Sequence, residues 1–126
     1  MIVGTGIDIA EVDRIRQSIG RFGRRFIERI FTEDEVRYCE SKANKIERYA
    51  ARFAAKEAAM KAIGTGWSHG VRWRDVEVRR LTGGRPTIAF HGRAGEFFKR
   101  LNGARAHLSL THTEAFAMAQ VILESE

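Results

Sequence analysis

Arg52-Phe53-Ala54-Ala55-Lys56-Glu57-Ala58-Ala59-Met60-Lys61 decides how this chain is read. The stretch lies inside a longer segment, Lys45 to Ile63, whose alanine content and lack of proline predict the principal helix, with Gly64-Thr65-Gly66 as its stop. Ile46, Tyr49, Ala50, Phe53 and Ala54 recur at helical spacing and mark a buried stripe. Arg48, Arg52, Lys56 and Ala59 fall on what reads as the solvated face. One further turn along the stripe stands Glu57, and one turn beyond it Lys61. An ordinary i,i+4 surface pair, worth about 0.2–0.5 kcal/mol, would account for these two residues. The competing reading is an inward carboxylate, which loses several kcal/mol of hydration unless a cation or hydrogen-bond donors meet it.

Toward the N-terminus, Ile2 to Ala10 alternates as a strand with Val3, Ile7 and Ile9 on one face and Gly4, Gly6 and Asp8 on the other. The two glycines leave room beside Asp8 for another backbone or a ligand, although capping the next helix is an equally ordinary duty for such an Asp. Glu11 to Ile19 reads as a short helix broken by Gly20 and Gly23, and Arg24 to Phe31 as a basic amphipathic turn or two. Thr32-Glu33-Asp34-Glu35 is a capping box that opens a helix running to about Ser41. Beyond the principal helix, Ser68-His69-Gly70 is turn-rich, and Val76 and Val78 alternate with charged residues as a strand. Thr82-Gly83-Gly84-Arg85-Pro86 is a turn returning through Thr87 to Phe90. A helix over Arg93 to Asn102 and two final strands, His107 to Thr113 and Phe116 to Leu123, close the chain. This order predicts a single α+β domain over residues 1–126, with a mostly antiparallel sheet packed against the long central helix.

Composition narrows the function. A chain of 126 residues that is 44% hydrophobic and holds one proline is long enough for a single core and unlike a disordered segment. No run approaches a transmembrane length, no signal peptide is legible, and a lone Cys39 excludes an internal disulfide framework and a cysteine-based zinc site. The expectation is a cytoplasmic protein with no membrane partner. The net charge of +6 is concentrated between Arg14 and Arg29, where six arginines face one acid, Glu28. Such a patch calls for a polyanionic partner: nucleic acid, an acidic protein or a phosphate-rich cofactor.

Two inward carboxylates on separate elements, Asp8 and Glu57, repel unless they share a proton or a divalent cation. With no clustered His or Cys, the pair favours a hard cation such as Mg²⁺, which takes one or two protein carboxylates and fills its shell with water and substrate phosphate. Lys61 stands where it could neutralise charge on a phosphate or leaving group. There is no P-loop and no dinucleotide fingerprint despite Gly4-Thr5-Gly6. His112 sits near a strand end, open to a phosphate contact or to ordinary hydrogen bonding. His69, His91 and His107 lack ligand-like spacing.

These residues carry a resemblance. Gly6-Ile7-Asp8-Ile9, then Arg52 to Ala58 and Lys61, closely resemble the holo-acyl-carrier-protein synthases, the small phosphopantetheinyl transferases. Phe31-Thr32-Glu33-Asp34-Glu35, Gly64-Thr65-Gly66, Gly84-Arg85-Pro86 and Leu110-Thr111-His112-Thr113 match as well, in the family's order and over essentially the whole chain. The resemblance implies transfer of phosphopantetheine from coenzyme A to a serine of apo acyl carrier protein. Asp8 and Glu57 would hold Mg²⁺ against the pyrophosphate, and Lys61 would assist the leaving phosphate. The general base would be Glu57 or a metal-bound water. Arg52, Gly84, Arg85, Pro86, His112 and Thr113 match the coenzyme A site, with Arg85 where the family commonly has Lys, a fork in place of a point charge. Arg14, Arg21 and Arg24 would dock the carrier protein's acidic helix, and the assembly would be a homotrimer with sites between subunits.

Two other functions compete. A basic nucleic-acid-binding domain would suit the pI of about 10.1, but the strands lack interleaved basic and aromatic residues, and Asp8 and Glu57 repel phosphate without metal. An inactive docking module for an acidic protein would keep the arginines yet have no use for Asp8, Glu57 and Lys61.

Overall fold

The structure, a computed structural model, describes residues Met1–Glu126. β1 (Ile2–Glu11) runs into α1 (Val12–Phe22), α2 (Arg24–Ile30), α3 (Glu33–Glu40) and the long α4 (Lys45–Ala62). A 3-10 turn at Trp73–Asp75 leads to the hairpin β2 (Val76–Arg80) and β3 (Pro86–Phe90), then α5 (Gly92–Arg100) and the closing pair β4 (Gly103–His112) and β5 (Phe116–Ser125). Every strand pairing is antiparallel, in one sheet of order β1-β5-β4 and a second of order β2-β3. The α+β class and the sheet packed against a central helix are as the sequence predicts.

Local chemistry explains the boundaries. Thr32 Oγ1 accepts from the Glu35 amide while Glu35 Oε1 accepts from the Thr32 amide at 2.8 Å, so the capping box forms reciprocally. Helix α1 does not stop at Ile19, as the two glycines led us to expect. It passes through Gly20 to Phe22 and ends where Gly23 adopts φ +58°, a left-handed φ that costs glycine little. Strand β4 begins at Gly103 rather than His107.

The strand β1 meets α4 through its glycines. A Cβ built on Gly6 would stand 1.9 Å from the Ala58 carbonyl oxygen, and one on Gly4 would stand 2.1 Å from that of Ala62. The glycine face is therefore the inner face of the sheet. Ile7 and Ile9, which sequence patterning sets opposite it, point outward and are 57% and 56% exposed, beside Phe116 and Met118 of β5.

Helix α4 departs most from its sequence reading. The side assigned to solvent is buried: Arg52 is 3% exposed, and Lys56 and Ala59 are fully enclosed. The helix is covered by β1 and β5 on one side and by α3 and β2 on another. Lys56 Nζ lies 2.7 Å from Glu35 Oε1 and also donates to the carbonyls of Trp73 and Val76. The second oxygen of Glu35 accepts from the Val78 amide at 2.7 Å. Burial pulls the Lys56 ammonium below its ordinary range and Glu35 opposes that pull. This ion pair fastens α3 and the start of β2 to α4, and its fully engaged donors and acceptors are what make charge burial tolerable.

Candidate active site

Asp8 lies on β1 two residues after Gly6, on the same inner face, and Glu57 directly precedes Ala58 on α4. The backbone contact at Gly6 therefore brings the two carboxyl groups together. Lys61, one turn past Glu57, donates to Asp8 Oδ1 at 2.9 Å and to the Ile7 carbonyl at 3.0 Å. Glu57 is pushed up from its ordinary 4.5 to about 7, first by burial and then by hydrogen bonding and repulsion from Asp8, with Lys61 pulling the other way. Asp8, Glu57 and Arg14 line one cleft of about 350 Å³ together with Ser18, Phe26 and Phe53.

The donor set fits a hard divalent ion. No group of three or more His, Cys, Asp and Glu gathers in the chain, so the protein offers two carboxylates and leaves the other positions to water and substrate oxygen, as Mg²⁺ requires. Glu57 also gives a pH dependence of known sign. Its folded pKa lies above the unfolded value, so its contribution to stability is complete below about 4.5 and is lost as pH rises through about 7. Without divalent cation, the melting temperature is expected to fall across that window. Glu57→Gln is expected to flatten the profile in a thermal melt series; an equally steep profile in the variant would remove Glu57 as its cause.

The other residues singled out in the sequence do not join this cleft within one chain. Arg85 and Pro86 line a groove of about 520 Å³ with Arg105, His107, Gln120 and Ile122, on the outer face of the three-stranded sheet. Gly84 turns the β2-β3 hairpin at φ +91°. His112 Nδ1 is 3.0 Å from Glu47 Oε1, joining the end of β4 to the first turn of α4. Thr113 Oγ1 accepts from the amides of Ala115 and Phe116 and so caps the β4-β5 turn.

Arg52 lines a third pocket, of about 330 Å³, with Tyr38, Arg79 and Arg80. Its guanidinium sits 3.9 Å from the Tyr38 ring centroid, Arg80 lies 5.0 Å from the same ring, and Arg52 Nε is a buried side-chain nitrogen without a partner. Cys39 is fully buried, and burial pushes its thiol up to about 12, so it is inert. Of the arginines proposed for docking, Arg14 and Arg21 are exposed on α1 and Arg24 is exposed on α2, where it also lies 3.2 Å from Glu28 and lines a different cavity, between α2 and α3.

The sequence reading missed the aromatic ladder behind the cleft. Phe26 stacks on Phe53 (6.5 Å between centroids), Phe53 on Trp73 (5.0 Å), and Trp73 on Trp67 (6.0 Å). Its members come from α2, α4, the 3-10 turn and the loop after α4, and no periodicity links them.

A sequence profile of the 4′-phosphopantetheinyl transferase superfamily matches residues 4–120. A holo-[acyl-carrier-protein] synthase of Koribacter versatilis is 66% identical over 98% of this chain and 99% of its own length. The crystal structure of a holo-[acyl-carrier-protein] synthase from Neisseria meningitidis superposes with a TM-score of 0.88 at 32% identity, covering 99% of this chain and 100% of the other. One from Bacillus anthracis, solved in complex with CoA (3′,5′-ADP), superposes with a TM-score of 0.81 at 40% identity, covering 100% of this chain and 99% of the other.

Proposed function

The chain belongs to the 4′-phosphopantetheinyl transferase superfamily, and from that premise we propose that it moves phosphopantetheine from coenzyme A to a serine of apo acyl carrier protein in an Mg²⁺-dependent reaction at Asp8 and Glu57. The observation that carries the reading is the meeting of these two carboxyl groups beside Lys61, in a cleft that Arg14 also lines. Bound between the carboxylates, Mg²⁺ would supply positive charge to the pyrophosphate oxygens.

The serine oxygen forms a bond to the phosphorus that carries pantetheine. The bond from that phosphorus to the bridging oxygen breaks, and the adenosine bisphosphate leaves with the electron pair. The serine proton passes to a base, and the Glu57 carboxylate, in the same cleft, can accept it. Lys61 Nζ, the cation at Asp8, stabilises charge growing on the departing phosphate. Arg52, with an unpartnered nitrogen in a pocket that Arg80 also lines, is assigned to a phosphate of coenzyme A, and Arg85, Gly84, Pro86, His112 and Thr113 to the rest of that ligand.

The separation of these groups in one chain supports a site shared between subunits. The outer sheet face, with Ile7, Ile9, Phe116 and Met118 exposed, is the kind of apolar surface a second copy covers. We assign the assembly as a homotrimer with active sites at the interfaces. Light scattering is expected to give the mass of three 14.3 kDa chains, and a monomer at assay concentration would contradict a shared site.

The transfer itself is tested by intact mass. Apo acyl carrier protein incubated with the chain and coenzyme A is expected to gain one phosphopantetheine with Mg²⁺ and none with EDTA. A gain that survives EDTA would refute the metal site and leave the transfer standing.

A further inference from the structure

His112 ends β4, and its backbone is fixed on both sides. It pairs with the buried Ala117 of β5, and the Thr113 amide that follows donates to the Phe116 carbonyl at 2.7 Å. A histidine ring on a fixed backbone can still turn over, because the torsion that carries it is broad and roughly two-fold. In its neutral form the ring can also carry its hydrogen on either nitrogen. Glu47 settles both choices. Nδ1 of His112 stands 3.0 Å from Glu47 Oε1, and Glu47 is the one carboxylate within ion-pair distance of the ring. An ionised carboxylate only accepts, so the hydrogen sits on Nδ1.

The carboxylate is itself held in place. Glu47 is partly buried in the first turn of α4, where a helix N-terminus suits negative charge. Its neighbours in that turn are tied down, Arg48 Nε donating to Asn44 Oδ1 at 3.2 Å and the Tyr49 hydroxyl to Glu40 Oε2 at 2.7 Å. The other ring nitrogen, His112 Nε2, makes no hydrogen bond within the chain. Arg52 Nε is the only buried side-chain polar atom without a partner, so His112 Nε2 is open to solvent and to a ligand.

Resting on the transferase reading above, which assigns His112 to coenzyme A, we propose that Glu47 is the positioning residue for His112. By accepting from Nδ1 it holds the ring in one flip and one tautomer and leaves Nε2 as the nitrogen that meets a phosphate oxygen of coenzyme A. A phosphate oxygen accepts, so the ring meets it as an imidazolium, with Nδ1–H on Glu47 and Nε2–H on the phosphate. Without Glu47 the ring is free to turn, and binding has to order a side chain that folding no longer orders. The loss then falls on coenzyme A and not on the carrier protein.

The test begins with heteronuclear NMR of the nitrogen-labelled, full-length protein above the titration range of imidazole, which reads the tautomer without any activity. His112→Asn identifies the signal among the four histidines. His112 is expected to be protonated at Nδ1 in the unmodified protein and to shift toward the Nε2-protonated form in Glu47→Ala. Adding coenzyme A at neutral pH is expected to move the Nε2 resonance and leave Nδ1 nearly in place. In steady-state transfer, Glu47→Ala is expected to raise KM for coenzyme A about tenfold, the scale of one hydrogen bond to a charged group, with little change in KM for the carrier protein. In a His112→Ala background the same substitution is expected to add less than about twofold, since Glu47 acts through the ring. A ring protonated at Nε2 in the unmodified protein would overturn the proposal. So would a loss from Glu47→Ala that persists undiminished without His112, or an equal rise in KM for both substrates, either of which would make Glu47 a structural residue of α4. Failure of the transferase reading is separate, since it appears as no mass gain with the unmodified protein.

Discussion

Asp8→Ala or Glu57→Ala is expected to lower the rate of phosphopantetheine transfer by at least about 10²–10³-fold, the scale of losing one preorganised electrostatic group at a reacting centre. Both carboxyl groups line one cleft, and the third acid there, Glu11, does not join them in a group of three that could hold a metal ion, so neither variant has a ready replacement for the carboxylate removed. The two variants are expected to differ in what they leave behind. Without Asp8, the proximity that helps push Glu57 up to about 7 is gone, and its carboxyl should titrate closer to the ordinary 4.5. Without Glu57, Lys61 keeps its contact with Asp8 at 2.9 Å. Rates by intact mass, with melting curves to show that each variant still folds cooperatively, make the check. Activity within tenfold of the parent in either variant would remove the paired-carboxylate site.

The largest effect on stability is expected from Lys56→Met. That substitution keeps most of the volume and removes the ammonium, leaving Glu35, 1% exposed, with its carboxylate unpaired. Removing one partner of a buried pair costs about 3–5 kcal/mol, which for a domain of this size lowers the melting temperature by roughly 10–20 °C. Glu35 retains the Thr32 and Val78 amides as donors, which argues for the lower end of that range. Thermal denaturation at constant Mg²⁺ concentration measures it. A loss below about 1 kcal/mol would mean that water reaches Glu35 and that the pair is not the fastener described above.

Lys56 also shows where the sequence stops being legible. The helix, its end near Gly64, the capping box at Thr32 and the hairpin at Gly84 each rest on chemistry within a few residues, and each is found where expected. The partner of Lys56 is Glu35, far away in the chain, and helical spacing alone put Lys56 on a wet face. A signal was present: Ala50, Ala51, Ala54, Ala55, Ala58, Ala59 and Ala62 spread over roughly half the circumference of α4, wider than a single apolar stripe, which marks a helix covered by more than one neighbour. Asp8 and Glu57 could be paired because glycines and an interrupted apolar stripe are local clues. Arg85, His112 and Arg52 could be named only by resemblance, since within one chain they lie in separate places.

The contact between β1 and α4 has a consequence for how this protein can change over generations. Where the carbonyls of Ala58 and Ala62 press on Gly6 and Gly4, the gap between the two elements is gauged by main chain, the one part of a protein that mutation does not rewrite. A library built to evolve the enzyme would leave positions 4 and 6 untouched, since any side chain there pushes β1 off α4 and moves Asp8 away from Glu57.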